Sequence, residues 1–111
     1  MPGAPELSPT EFAARWPDYA LGTVVVLLDV REHMELELAA LPAAVHIPMR
    51  EVPARLAELD RSTPLVVMCH SGVRSGRVAE YLLGNGFSQV FNLRGGIEAW
   101  STEMDPQVPR Y

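Results

Sequence analysis

A chain of 111 residues, 48% hydrophobic and 21% charged, has the size and composition of one soluble globular domain spanning residues 1–111. A net charge of -5 argues against nucleic acid as a partner, and the longest apolar run, Val24 to Leu28, is far too short to cross a membrane. One cysteine excludes an internal disulfide framework and a resolving thiol, and the N-terminus does not read as a signal peptide, so the expected setting is a reducing cytoplasm.

Ser8-Pro9-Thr10-Glu11 reads as a helix start, with Ser8 as N-cap, Pro9 at the first helical position and Glu11 closing a capping box. That helix should reach about Trp16, with Phe12 and Trp16 on its buried face. Residues 23–30 form a continuous β-branched and aliphatic run, as expected of a strand buried on both faces. Residues 32–40 favour a helix, 44–47 a short strand, and 52–59 a short helix with Pro53 in its first turn. A second buried strand spans 64–68, with Pro64 confined to its start.

Residues 75–83 place Val78, Ala79, Leu82 and Leu83 on one helical face, and Gly84 and Gly86 offer a stop. A further strand at 90–93, a Gly95-Gly96 turn and a helix at 97–102 complete the core of about 7–100, and 104–111 is an irregular tail. Strands alternating with helices predict an α/β fold, an open parallel sheet covered on both faces. Ligands bind such sheets at the carboxyl ends of the strands, where Cys69 and the turns after Val30 and Leu93 should gather.

Cys69 ends the apolar run Leu65-Val66-Val67-Met68 and opens Cys69-His70-Ser71-Gly72-Val73-Arg74-Ser75, after which a helical pattern begins. A strand, a tight loop and a helix start aim backbone N–H groups and a positive helix end at one sulfur, which favours the reactive thiolate. The N–H groups of His70 to Ser75 can form a nest around the sulfur, and Gly72 permits an approach that a Cβ would impede. Ser71 and Ser75 can add hydroxyl donors, although Ser75 is more simply the N-cap of the following helix. His70 should point along the rim rather than act as a base.

All nine basic residues are arginines, and Arg74 and Arg77 fall close to Cys69 in sequence. Arg74 either binds an oxyanion or pairs with a carboxylate such as Asp29 or Glu32 and braces the loop. Asp29 and Arg31 follow a strand end and are expected to brace rather than react. His33 and His46 are more simply solvated or turn residues. No ligand pattern for a metal and no cofactor fingerprint is present.

Leu28-Asp29-Val30-Arg31-Glu32, Ala44-Val45-His46-Ile47-Pro48, the Cys69–Ser75 loop and Leu93-Arg94-Gly95-Gly96-Ile97-Glu98-Ala99-Trp100 follow one another in a telling order and spacing. In this the chain, from about Leu7 to Trp100, resembles single-domain rhodanese-like proteins. The resemblance implies a five-stranded parallel sheet between helices. It also implies a sulfurtransferase in which Cys69 takes a sulfane sulfur from a small donor such as thiosulfate, as a persulfide, and passes it to cyanide or a thiol. His70, Ser71, Gly72, Val73, Arg74 and Ser75 would then surround the substrate.

Two other readings compete. A cysteine phosphatase or arsenate reductase needs five residues between Cys and Arg to enclose a tetrahedral oxyanion, whereas four separate Cys69 from Arg74 and Ser75 takes the arginine's place. A persulfide carrier or interaction module for a protein partner is the other.

Overall fold

The computed structural model describes residues 3–111. Residues 1–2, where the segment read above as unlike a signal peptide begins, lie outside the described residues. The chain runs β1 (Glu6–Leu7), α1 (Pro9–Arg15), β2 (Val26–Asp29), α2 (His33–Leu38), β3 (Val45–His46), β4 (Leu65–Met68), α3 (Val73–Leu83), β5 (Val90–Leu93) and α4 (Gly96–Glu103). Short 3-10 turns occupy Tyr19–Leu21, Met49–Glu51 and Pro53–Glu58. The five strands form one parallel sheet in the order β1-β5-β4-β2-β3.

Alternation along the central strands divides the core into two layers. Leu65, Val67 and Cys69 of the β4 segment face Val78, Ala79 and Leu82 of α3, whereas Val66 and Met68 face Phe12 of α1 and Ile97 and Trp100 of α4. Cys69 is thus the next residue of the α3-facing row, which puts its sulfur beside the start of α3. Phe12 seats its ring against Trp16, Tyr19 and Trp100, with centroids 5.0–5.8 Å apart. The capping box forms as expected: the Glu11 N–H donates to Ser8 Oγ at 3.1 Å and the Ser8 N–H donates to Glu11 Oε1 at 2.8 Å.

Several elements differ from the expectation. The second strand begins at Val26, not at residue 23, because its β4 partner begins at Leu65 and Pro64 has no N–H to extend the ladder. Residues 53–58 form a 3-10 segment broken at Arg55 rather than an α-helix. The edge strand β1 is too short for any periodicity to reveal, and is defined by pairing of Glu6 with Asn92 and Leu7 with Leu93. The helix after Cys69 begins at Val73, two residues before Ser75, since Gly72 takes the cap position with φ +107°.

Candidate active site

Two helix N-termini hold the Cys69 loop from opposite sides. From α3, the Gly72 N–H donates to Cys69 Sγ at 3.0 Å and Ser75 Oγ lies 3.3 Å from the same sulfur. From α4, the Ile97 N–H donates to the Cys69 carbonyl at 2.9 Å and the Glu98 N–H to the His70 carbonyl at 3.1 Å. That docking requires Gly96, which has φ +59°; a Cβ there would collide with the Cys69 and His70 carbonyl oxygens. The Gly95-Gly96 turn expected from the sequence therefore lets α4 pack against the loop.

The Cys69 residue is only 1% exposed. Burial is the largest influence on its thiol and pushes the pKa up. The Ser75 hydroxyl and the N–H groups of Ser75, Gly72 and Ser71 together outweigh burial, so the net shift is downward, toward thiolate. The Arg74 guanidinium also interacts with the Cys69 charge, as a smaller influence than these neutral donors.

Ser75 is not the N-cap expected from its residue type. It is the third residue of α3, fully buried, with its hydroxyl also 2.6 Å from Asn92 Oδ1. Asn92 is held in turn, its Nδ2 donating to Glu6 Oε2 and to the Gly72 carbonyl, each at 3.0 Å. One hydroxyl hydrogen faces two acceptors, and a charged sulfur draws it more strongly than a neutral amide oxygen. Asn92 was missed in the sequence; its signal is a polar residue inside a strand expected to be buried.

On the other side of the loop, charges meet charges. Arg74 makes a two-pronged pair with Glu35, Nη1 to Oε1 at 2.5 Å and Nη2 to Oε2 at 2.9 Å. Arg74 thus takes the bracing alternative, with Glu35 as its carboxylate in place of Asp29 or Glu32. Asp29 is occupied by Arg31, whose Nη2 and Nε lie 2.7 and 3.0 Å from its oxygens, both residues at most 1% exposed. Arg31 also donates to the Ala39 carbonyl at 2.9 Å and to Tyr111 Oη at 3.0 Å. Asp29 and Arg31 therefore brace the end of β2. His46 is a half-buried residue of strand β3 rather than the solvated or turn residue expected, and its Nε2 donates to the Arg31 carbonyl at 2.6 Å.

Tyr111 joins this network to the rim. Its hydroxyl donates to Glu35 Oε2 at 2.6 Å, and its ring stacks on His70 with centroids 4.0 Å apart and planes at 10°. Segment 104–111 has no helix or strand, but Val108 is buried and Tyr111 is docked. The Arg74 contact, above all, pulls the Glu35 carboxyl down to about 2, with the Tyr111 hydroxyl assisting against burial. Ser71 and Val73 are exposed at the mouth, Val73 at 65%. Among the described residues no group of three or more His, Cys, Asp or Glu is placed to hold a metal, and no helix is long and apolar enough to cross a membrane.

A family model described as "Rhodanese-like domain" matches residues 9–103. The chain belongs to the rhodanese-like family. It is 40% identical over 77 residues to a protein of Pseudomonas syringae pv. syringae named thiosulfate sulfurtransferase GlpE, covering 69% of this chain and 73% of that one. It is 41% identical over 79 residues to the putative sulfur carrier protein YrkF of Bacillus subtilis, covering 71% of this chain but 43% of that longer one. The crystal structure of a rhodanese-like domain protein from Staphylococcus aureus superposes with a TM-score of 0.78 and 30% identity, covering 90% of this chain and 94% of that one. The five-stranded parallel sheet expected from the rhodanese resemblance is the sheet observed.

Proposed function

We propose that this rhodanese-like protein is a sulfurtransferase that carries sulfane sulfur as a persulfide on Cys69. The observation that supports it is the cradle of neutral donors, the Gly72 N–H at 3.0 Å and the Ser75 hydroxyl at 3.3 Å, directed at one buried sulfur. In the loading step the Cys69 thiolate attacks the outer sulfur of a donor such as thiosulfate. The donor's bond to that sulfur breaks, and the electron pair leaves with sulfite or a thiolate. The N–H groups of Ser71, Gly72 and Ser75 then hold the negative charge of the persulfide. A thiol or cyanide attacks the outer sulfur, and Cys69 departs as the thiolate it began as.

In this scheme Cys69 is the catalytic residue and His70 to Ser75 form the binding loop. Arg74 acts by fixing the loop against Glu35, and Asp29 and Arg31 support it from β2. No cofactor is required by this chemistry. A single thiol with no resolving partner suits a reducing compartment such as the cytoplasm. The phosphatase reading finds no support, because Ser75 at the arginine's place turns its hydroxyl on the sulfur and Arg74 is engaged with Glu35. The likeness to a putative sulfur carrier favours a second reading, persulfide delivery to a protein partner by the same cysteine.

Intact mass measurement after incubation with a sulfane donor tests the proposal. Wild type should gain the mass of one sulfur atom and lose it to cyanide, whereas Cys69→Ser should do neither and transfer no sulfur. A Cys69→Ser protein that kept most of the wild-type transfer rate would refute it.

A further inference from the structure

We infer that the outer face of α3 is a docking surface for a polypeptide that sets a carboxylate on Arg77 and an apolar side chain in the groove beside it. Val73, Arg77 and Tyr81 fall on successive turns of α3, and all three are exposed, Val73 at 65% and Tyr81 at 40%. The Arg77 guanidinium has no ion pair, hydrogen bond or ring contact among the described residues. Every other arginine is engaged by a carboxylate, a carbonyl or an aromatic ring. Arg77 lines two depressions. One, shared with Gly72, Val73 and Gly76, also holds Glu6 and Glu80 and so disfavours an anion. The other is a groove of about 180 Å³ between α3 and the two 3-10 segments, lined by Met49, Val52, Pro53, Val78 and Tyr81, with Arg77 as its single charged residue.

The size of the groove decides the class of occupant. At about 180 Å³ it is smaller than the roughly 300–1,000 Å³ that encloses a drug-sized ligand, but it admits one large side chain. An apolar anchor in a small pocket, with tyrosine and arginine at its edge, is the pattern of a protein-docking hot spot. The unpaired cation then selects a carboxylate next to that anchor over an amide or an amine. The stripe leads to the reactive loop, because Val73 follows Gly72, whose N–H donates to Cys69 Sγ. Val73 and Tyr81 lie about 12 Å apart along the helix axis, a distance that about four residues of extended chain span. A segment seated in the groove therefore brings a cysteine a few residues away to the mouth. Provided that Cys69 carries sulfur as a persulfide, the partner is a protein that accepts it there. Its thiolate attacks the outer sulfur, the bond from that sulfur to Sγ breaks, and the electron pair returns to Cys69 as thiolate.

The test uses the peptide acetyl-Cys-Gly-Glu-Gly-Leu-amide as acceptor for sulfur-loaded protein, beside versions with Gln for Glu or Ala for Leu. In wild type the parent peptide should discharge Cys69 about three- to fivefold faster, at equal concentration, than either replacement. Arg77→Gln should abolish the Glu-over-Gln preference and keep the Leu-over-Ala preference, while discharge by cyanide stays unchanged. Equal rates for the Glu and Gln peptides in wild type overturn the inference, and so does a Glu preference that survives in Arg77→Gln. Docking is read without sulfur chemistry from amide NMR shifts of the Cys69→Ser protein on adding the same peptide, which should cluster at Met49, Arg77 and Tyr81. Shifts confined elsewhere contradict it, as do shifts at those residues that follow protein concentration with no peptide present, the mark of a contact between two copies of this chain. If Cys69 takes up no sulfur and the peptide still shifts the groove, the persulfide reading fails and the docking surface stands.

Discussion

On the α3 side of Cys69 the groups that reach the sulfur are neutral: the Gly72 N–H, the Ser75 hydroxyl and, behind them, the Asn92 amide. Toward α2 stand full charges, Arg74, which reaches there from α3 itself, with Glu35, and Arg31 with Asp29, and each is spent on its counterpart. The two sides divide the labour of a reactive loop. Fixed dipoles stabilise an anion without bringing a counter-ion that must itself be desolvated, whereas paired charges confer rigidity but little net potential. Neutral groups therefore set reactivity here, and charged groups set shape.

The largest test of that division is removal of one member of the buried pair. Arg31→Ala leaves the Asp29 carboxylate buried without a partner and frees the Ala39 carbonyl and Tyr111 hydroxyl. The expected cost is about 3–5 kcal/mol of stability in urea unfolding. A loss under 1 kcal/mol would show that the charged side is not the brace. A smaller effect is expected at the α4 contact. Gly96→Ala forces an L side chain into a left-handed backbone and against two loop carbonyls, at a cost of about 1–3 kcal/mol. Sulfur transfer should fall by more than stability alone explains, since the displaced atoms belong to Cys69 and His70. Normal transfer in a stable Gly96→Ala protein would contradict the docking role of α4.

The smallest of the three is an acid effect on the charged side. Glu35 is shifted from 4.5 to about 2, so its contribution to stability is present in full above about pH 4.5 and is lost as pH falls toward 2. Wild type should exceed Glu35→Gln by on the order of 1 kcal/mol near neutral pH. That margin should shrink across the acid range in pH-dependent urea unfolding. A margin constant from neutral pH to pH 2 would mean that Glu35 acts by packing rather than by charge.

How much of this could be read from the chain depends on how local each feature is. The Ser8 cap, the buried β4 run ending in Cys69 and the Gly-Gly turn are written in consecutive residues, and all appear where expected. Ser75 misled, because its residue type favours a cap while the nearby Gly72, in a left-handed conformation, starts the helix earlier. The rest required the fold. Glu35 meets Arg74 across 39 positions, and Tyr111 meets Arg31 across 80. No spacing rule links such residues, and only closure of the parallel sheet brings them together. Strand β1, two residues long, exists only because β5 offers an edge to pair with.

The central claim, that neutral donors rather than Arg74 control the Cys69 thiolate, is tested most directly by titrating thiolate absorbance in wild type, Ser75→Ala and Arg74→Ala. A hydrogen bond to a charged group is worth about 1.5–3 kcal/mol, so Ser75→Ala should raise the Cys69 pKa by about one unit or more. A partly exposed, already paired arginine contributes at most about 1 kcal/mol, so Arg74→Ala should raise it by less than Ser75→Ala does and leave it below that of a free cysteine. If Arg74→Ala returns Cys69 to free-cysteine behaviour while Ser75→Ala leaves it unchanged, the charged side governs the sulfur and the account is wrong.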